Sequence, residues 1–93
     1  MSIAIIGGLE RLKRNYEQQG REMGFNVRFF GRRVPAMSRR LSGVDGIVIF
    51  TGQVGHPLVH EVKRTAKMNA IPLVHGSSGS MSGLKRCLTR FQA

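Results

Sequence analysis

The residues of this chain with the most chemistry to offer are three histidines, a set of glycine-rich turns and an unusual number of arginines. His56 follows Thr51-Gly52-Gln53-Val54-Gly55, and His75 precedes Gly76-Ser77-Ser78-Gly79-Ser80. A neutral imidazole ligates metals and exchanges hydrogen bonds, so His56 is the strongest single candidate, with His75 as its possible partner at a metal. His60 stands one helical turn beyond His56. An i, i+4 histidine pair is a weak metal signal alone, and His60 reads as a surface residue. Gly7 and Gly8 close the first apolar run, and Gly31-Arg32-Arg33 closes the second. The candidate cofactor-binding set is therefore His56, Gly7, Gly8, Arg32, Arg33, Thr51, Gly52, Val54, Ser77 and Ser78; the candidate metal ligands are His56 and His75. Ser80 reads as a helix cap, and Cys87 as a small packed core residue.

Several chemistries are excluded. Gly7-Gly8-Leu9-Glu10-Arg11-Leu12 lacks the G-x-G-x-x-G fingerprint, and no G-x-x-x-x-G-K-[ST] loop is present, which removes the standard dinucleotide and P-loop sites. The only carboxylates are Asp45 and four glutamates, a poor supply for a magnesium enzyme or a carboxylate-driven hydrolase. No Ser-His-Asp order occurs. No complete catalytic set is visible, and a binding protein is the reading preferred to an enzyme.

The net charge is +10, from 15 basic and 5 acidic residues, and 11 of the 15 are arginine. Arginine grips phosphate and carboxylate with a planar fork, so an anionic partner is one reading and a well-solvated basic surface the other. The basic groups Arg11, Lys13, Arg14; Arg28, Arg32, Arg33, Arg39, Arg40; Lys63, Arg64, Lys67; and Lys85, Arg86, Arg90 would serve nucleic acid if they shared one face. The few aromatic residues read as core rather than as base-stacking platforms. The single cysteine excludes an intrachain disulfide and fits a reducing cytoplasm. No signal peptide is visible, and no apolar stretch reaches membrane-spanning length. Ninety-three residues suit one domain with a modest core. Self-association into a homodimer or larger oligomer is expected to help stability.

The elements that must position these residues follow from the apolar pattern. Residues 2–6 and 47–50 are unbroken apolar runs, the mark of strands buried on both faces. Residues 26–30 form a second strand and residues 71–74 a fourth. Helices are expected over 9–23, over 34–41 with Pro35 in the first turn, after His56 with Pro57 at the first position, and after Ser80. The last carries Met81, Leu84, Leu88 and Phe91 on its inner stripe. Strict strand–helix alternation implies right-handed crossovers and a parallel sheet with helices on both sides. The prediction is a single Rossmann-like or flavodoxin-like three-layer α/β domain over residues 1–93, with a four-stranded parallel sheet in the order 2-1-3-4. All four strand-to-helix turns then share the carboxyl edge, and the order reverses between strands 1 and 3, where ligands prefer to sit. Helix dipoles and free amides make such an edge favourable to anions.

As a set, Ile5-Ile6-Gly7-Gly8, Gly31-Arg32-Arg33, Thr51 through His56 and the Ser77 to Ser80 loop resemble the bacterial domain of unknown function 2325 family, over nearly the whole chain. That family consists of small Rossmann-like proteins with a histidine after the third strand, which His56 matches. Some members look like haem-binding proteins. The resemblance therefore implies haem on this rim, with His56 as axial ligand, arginines for the propionates and Val54 against the ring. Covalent attachment is excluded, because no Cys-x-x-Cys-His is present. Three readings result: a binding module for an anionic cofactor, haem the named candidate; a nucleic-acid-associated basic protein; and a small haem-dependent redox enzyme.

Overall fold

The computed structural model describes residues 1–32 and 35–92. Four parallel strands, β1 (Ser2–Ile6), β2 (Asn26–Phe30), β3 (Gly46–Phe50) and β4 (Leu73–Gly76), form one sheet in the order β2-β1-β3-β4. The helices are α1 (Lys13–Glu22), α2 (Met37–Leu41), α3 (His56–Met68) and α4 (Met81–Thr89). The fold class and strand order are those expected from the alternation of apolar runs and helical stripes.

The alternation of side chains along each strand divides the core into two halves. Ile3, Ile5, Val48 and Phe50 point to one side, where Tyr16 of α1 and Leu84, Cys87 and Leu88 of α4 cover them. Ala4, Ile6, Ile47 and Ile49 point to the other, under Met37 and Leu41 of α2 and Leu58, Val59, Val62 and Ala66 of α3. β1 and β3 are thus the central pair, buried on both faces, as unbroken apolar runs require. Each fully buried Ile or Leu contributes about 1.5–3 kcal/mol relative to exposure. Apart from Thr65, the buried set holds no polar or charged residue among those described.

Both ends of the chain are stitched to the amino edge of the sheet. The Ser2 amide donates to Asp45 Oδ2 at 2.7 Å, and Asn26 N donates to the Met1 carbonyl at 2.8 Å. At the other end, the Phe91 ring lies where Gly46 would carry a Cβ, and Gln92 Nε2 donates to the Met23 carbonyl at 3.2 Å.

Local boundaries depart from the pattern-based expectation in several places, among them α3, which begins at His56 with Gly55 as its cap rather than at Pro57. Residues 9–23 are not one helix: Leu9 is extended (φ −99°, ψ 117°), a 3₁₀ turn follows at Glu10–Leu12, and α1 begins at Lys13. The second helix begins at Met37 and excludes Pro35 from its first turn, because Ala36 is left-handed (φ 58°); Val34, where it was expected to begin, lies outside the described residues. β4 runs two residues further than 71–74. The Pro72 carbonyl accepts from Ile47 N at 2.9 Å, and the register then brings His75 and Gly76 beside Ile49 and Phe50.

Candidate functional site

Four turns leave the carboxyl edge of the sheet, and the structure treats them unequally. The turn after β1 is closed by protein. Gly7 has φ +83°, and a Cβ there would stand 2.8 Å from Val54 Cγ1 and 3.2 Å from the Phe50 carbonyl. Gly8 has φ +91°, and its Cβ would stand 2.8 Å from the Tyr16 hydroxyl. Both glycines therefore satisfy a left-handed backbone and a close approach of chain to chain, and Gly7 is buried. The buried Tyr16 hydroxyl accepts from Leu9 N at 2.9 Å and donates to the Gly79 carbonyl, tying the turn after β1 to the loop after β4. Its ring packs at a tilt on Phe29 and Phe50, with centroids 5.7 and 6.3 Å apart.

The turn after β3 is open. β3 runs into a 3₁₀ turn at Thr51–Gln53, whose Thr51 and Gly52 are exposed. Val54 is half-buried and packs down on the α2–α3 side of the core. Gly55 caps α3 in an extended conformation (φ −75°, ψ 159°) and, having no side chain, makes no side-chain cap bond to the helix start. His56 is the first residue of α3 and is exposed. By helix geometry the amides of the first turn point outward, and Pro57 has none to contribute. His60 is also exposed, its ring 6.4 Å from that of His56 between centroids.

The remaining candidates divide between these two behaviours. Arg32 is exposed and lies 3.7 Å from Glu10, both largely solvated, a contact worth at most about 1 kcal/mol. Arg33 lies outside the described residues. Ser78 Oγ accepts from Ser80 N at 3.2 Å, and Ser80 Oγ accepts from Gly83 N at 3.1 Å, capping α4 as expected. Ser77 is exposed. His75 is a strand residue rather than part of the loop, and it is exposed at the sheet's edge. Among the described residues no group of three or more His, Cys, Asp or Glu side chains is placed to hold a metal ion.

Beside β4 a cleft of about 400 Å³ is lined by Val74, His75, Gly76, Ser77, Gly83, Arg86, Cys87 and Arg90. Burial pushes the Cys87 thiol above its ordinary pKa, against the pull of Arg90 and then Arg86. In the sequence Arg86 and Arg90 stand in one basic group with Lys85. Their i, i+4 spacing around Cys87, just off the apolar stripe of α4, is the signal that marks this wall. A second cleft, lined by Pro57, His60, Glu61 and Arg64, follows α3 away from His56. The exposed basic residues lie in both outer layers, on α1 and α4 and on α2 and α3, rather than on one face. No helix among the described residues is long and apolar enough to cross a membrane.

A family model described as an uncharacterized protein conserved in bacteria (DUF2325) matches residues 2–91. No curated protein matches the chain.

Proposed function

The chain belongs to the DUF2325 family, and from that premise we propose that it is a binding module for an anionic cofactor, held at the carboxyl edge of the sheet with His56 at the centre. The observation that carries this reading is the open start of α3. Its cap position is a glycine without a side-chain bond, its first residue is an exposed imidazole, and Thr51 and Gly52 beside it are exposed. The amino end of α4, on the same edge, is closed by its own Ser80. The start of a thirteen-residue helix whose cap supplies no side-chain bond favours negative charge.

Haem is the named candidate, and the residues fit it in donor chemistry. The exposed His56 would ligate the iron, Arg32 would meet a propionate, and half-buried Val54 and Phe30 would supply apolar wall. Bound there, haem would bring an iron centre able to change oxidation state or take up a small ligand. The wall is thin, since the exposed large hydrophobic residues among those described are Met1 and Met68. Porphyrin contact in a single chain is therefore limited to that ledge, and the expected affinity is modest.

Absorbance titration with haem tests the reading. The expected result is a saturating Soret shift in the wild type, lost in His56→Ala and kept in His60→Ala. Absence of a shift, or an equal shift in His56→Ala, overturns haem ligation by His56.

A further inference from the structure

β4 is an edge strand: among the described residues it pairs with β3 and with no other strand. Along its outer side, α4 overhangs with Gly83, Arg86, Cys87 and Arg90, the i, i+3, i+4, i+7 positions of one helical stripe. Between strand and helix lies the cleft of about 400 Å³, within the range of small-ligand sites. Two glycines keep it in shape. A Cβ on Gly76 would stand 2.5 Å from the Phe50 ring and 3.1 Å from Cys87 Sγ; one on Gly83 would stand 2.6 Å from the Ser78 carbonyl. The floor is thus Val74, Gly76 and the thiol, while Ser77 marks one end.

The walls carry charge that the protein does not answer. Arg86 and Arg90 are exposed, and among the described residues neither has an acidic partner. α4 contains no acidic residue at all. Residues at i, i+4 on a helix are about 5–6 Å apart at Cβ, so two guanidinium forks converge on one ligand-sized space. Both arginines line the cleft on either side of Cys87. Guanidinium forks match the planar or tetrahedral oxygens of carboxylate and phosphate, and the apolar floor suits a short carbon body.

We propose that the cleft between β4 and α4 is a second binding site, for a small organic dianion held by Arg86 and Arg90. It does not depend on His56. Because Cys87 is protonated at neutral pH, its thiol serves as a floor atom and not as a nucleophile.

The test is a titration of isotope-labelled full-length protein with inorganic phosphate and, separately, with succinate at low ionic strength, followed by amide chemical shifts. Saturating shifts centred on Ser77, Gly83, Arg86 and Arg90 are expected, with affinity at least tenfold weaker in Arg86→Gln and in Arg90→Gln. Arg64→Gln, which removes the same charge from α3, should leave the affinity within twofold, and so should His56→Ala. Tighter binding of phosphate assigns the site to phosphate esters, and tighter binding of succinate assigns it to dicarboxylates. Shifts that do not saturate with either probe, or an equal loss in Arg64→Gln, overturn the site and leave only diffuse attraction to a basic surface. The amide spectrum of each variant shows whether it is folded. Loss of haem binding with retained anion binding in His56→Ala separates this proposal from the preceding one.

Discussion

The turns after β1 and β3 leave neighbouring strands at the same sheet edge, and both contain glycines, yet they serve opposite ends. After β1, Gly7 and Gly8 admit Val54 and the Tyr16 hydroxyl, and a side chain at either position would collide with them. After β3, a Cβ on Gly52 would meet nothing within 4 Å, and Gly55 only the edge of Pro57 at 3.7 Å. A glycine in a strand-to-helix turn is therefore ambiguous until its surroundings are known. Here one pair secures the fold and the other leaves a helix start open to solvent.

The largest expected effect comes from breaking the closed turn. Gly7→Ala forces a side chain into a left-handed residue and against Val54, with strain and overpacking together costing about 2–4 kcal/mol. Gly52→Ala should stay within about 0.5 kcal/mol of wild type. Denaturant unfolding of the two variants checks the contrast, and equal costs would erase the distinction between the turns. Next, Tyr16→Phe removes the hydroxyl that serves both Leu9 N and the Gly79 carbonyl. A loss of about 1–3 kcal/mol is expected from the two unpaired groups, measurable in the same way. Ser80→Ala should cost about 1 kcal/mol by uncapping α4.

A smaller effect follows from the thiol. Burial raises the pKa of Cys87 in the folded state. The unfolded chain therefore loses this proton first as pH rises, and stability that is complete below the ordinary thiol value of 9.0 declines above it. Measured against Cys87→Ser, which lacks the titration, the wild type should lose stability more steeply as pH rises through and above the ordinary thiol value of 9.0. Smallest in stability is Gly55→Ser, which supplies the missing cap of α3 for a gain of a few tenths of a kcal/mol. Its sharper readout is ligand binding. A side chain occupying the first-turn amides should weaken any anion held there, and an unchanged affinity would detach the anion from the start of α3.

How much of this was legible in the sequence depended on burial. The central strands were, because Ile3 through Ile6 and Ile47 through Phe50 must be hidden on both faces and so are written as unbroken apolar runs. The edge strand β4 was placed two residues early, because its position depends on register with β3 rather than on its own hydrophobicity; His75 is polar and Gly76 has no side chain. The order of the sheet and the membership of the carboxyl edge followed from alternation alone. What could not be read was which turns close. Tyr16 lies inside the helix expected over 9–23, and its hydroxyl reaches Gly79 across 63 positions of sequence, a link that no local spacing announces. The cleft beside α4 was hidden for the same reason, since Arg86 and Arg90 gain meaning only when β4 is laid next to them.

The stitching of both termini to the amino edge has a practical consequence. β1 is central although it starts at residue 2, and α4 returns toward that same edge, where Phe91 meets Gly46. An affinity tag, a surface tether or a fused neighbour attached at either end would hang beneath the sheet, opposite His56. The chain can be immobilised by its head or its tail with the helix start of α3 still facing the solution.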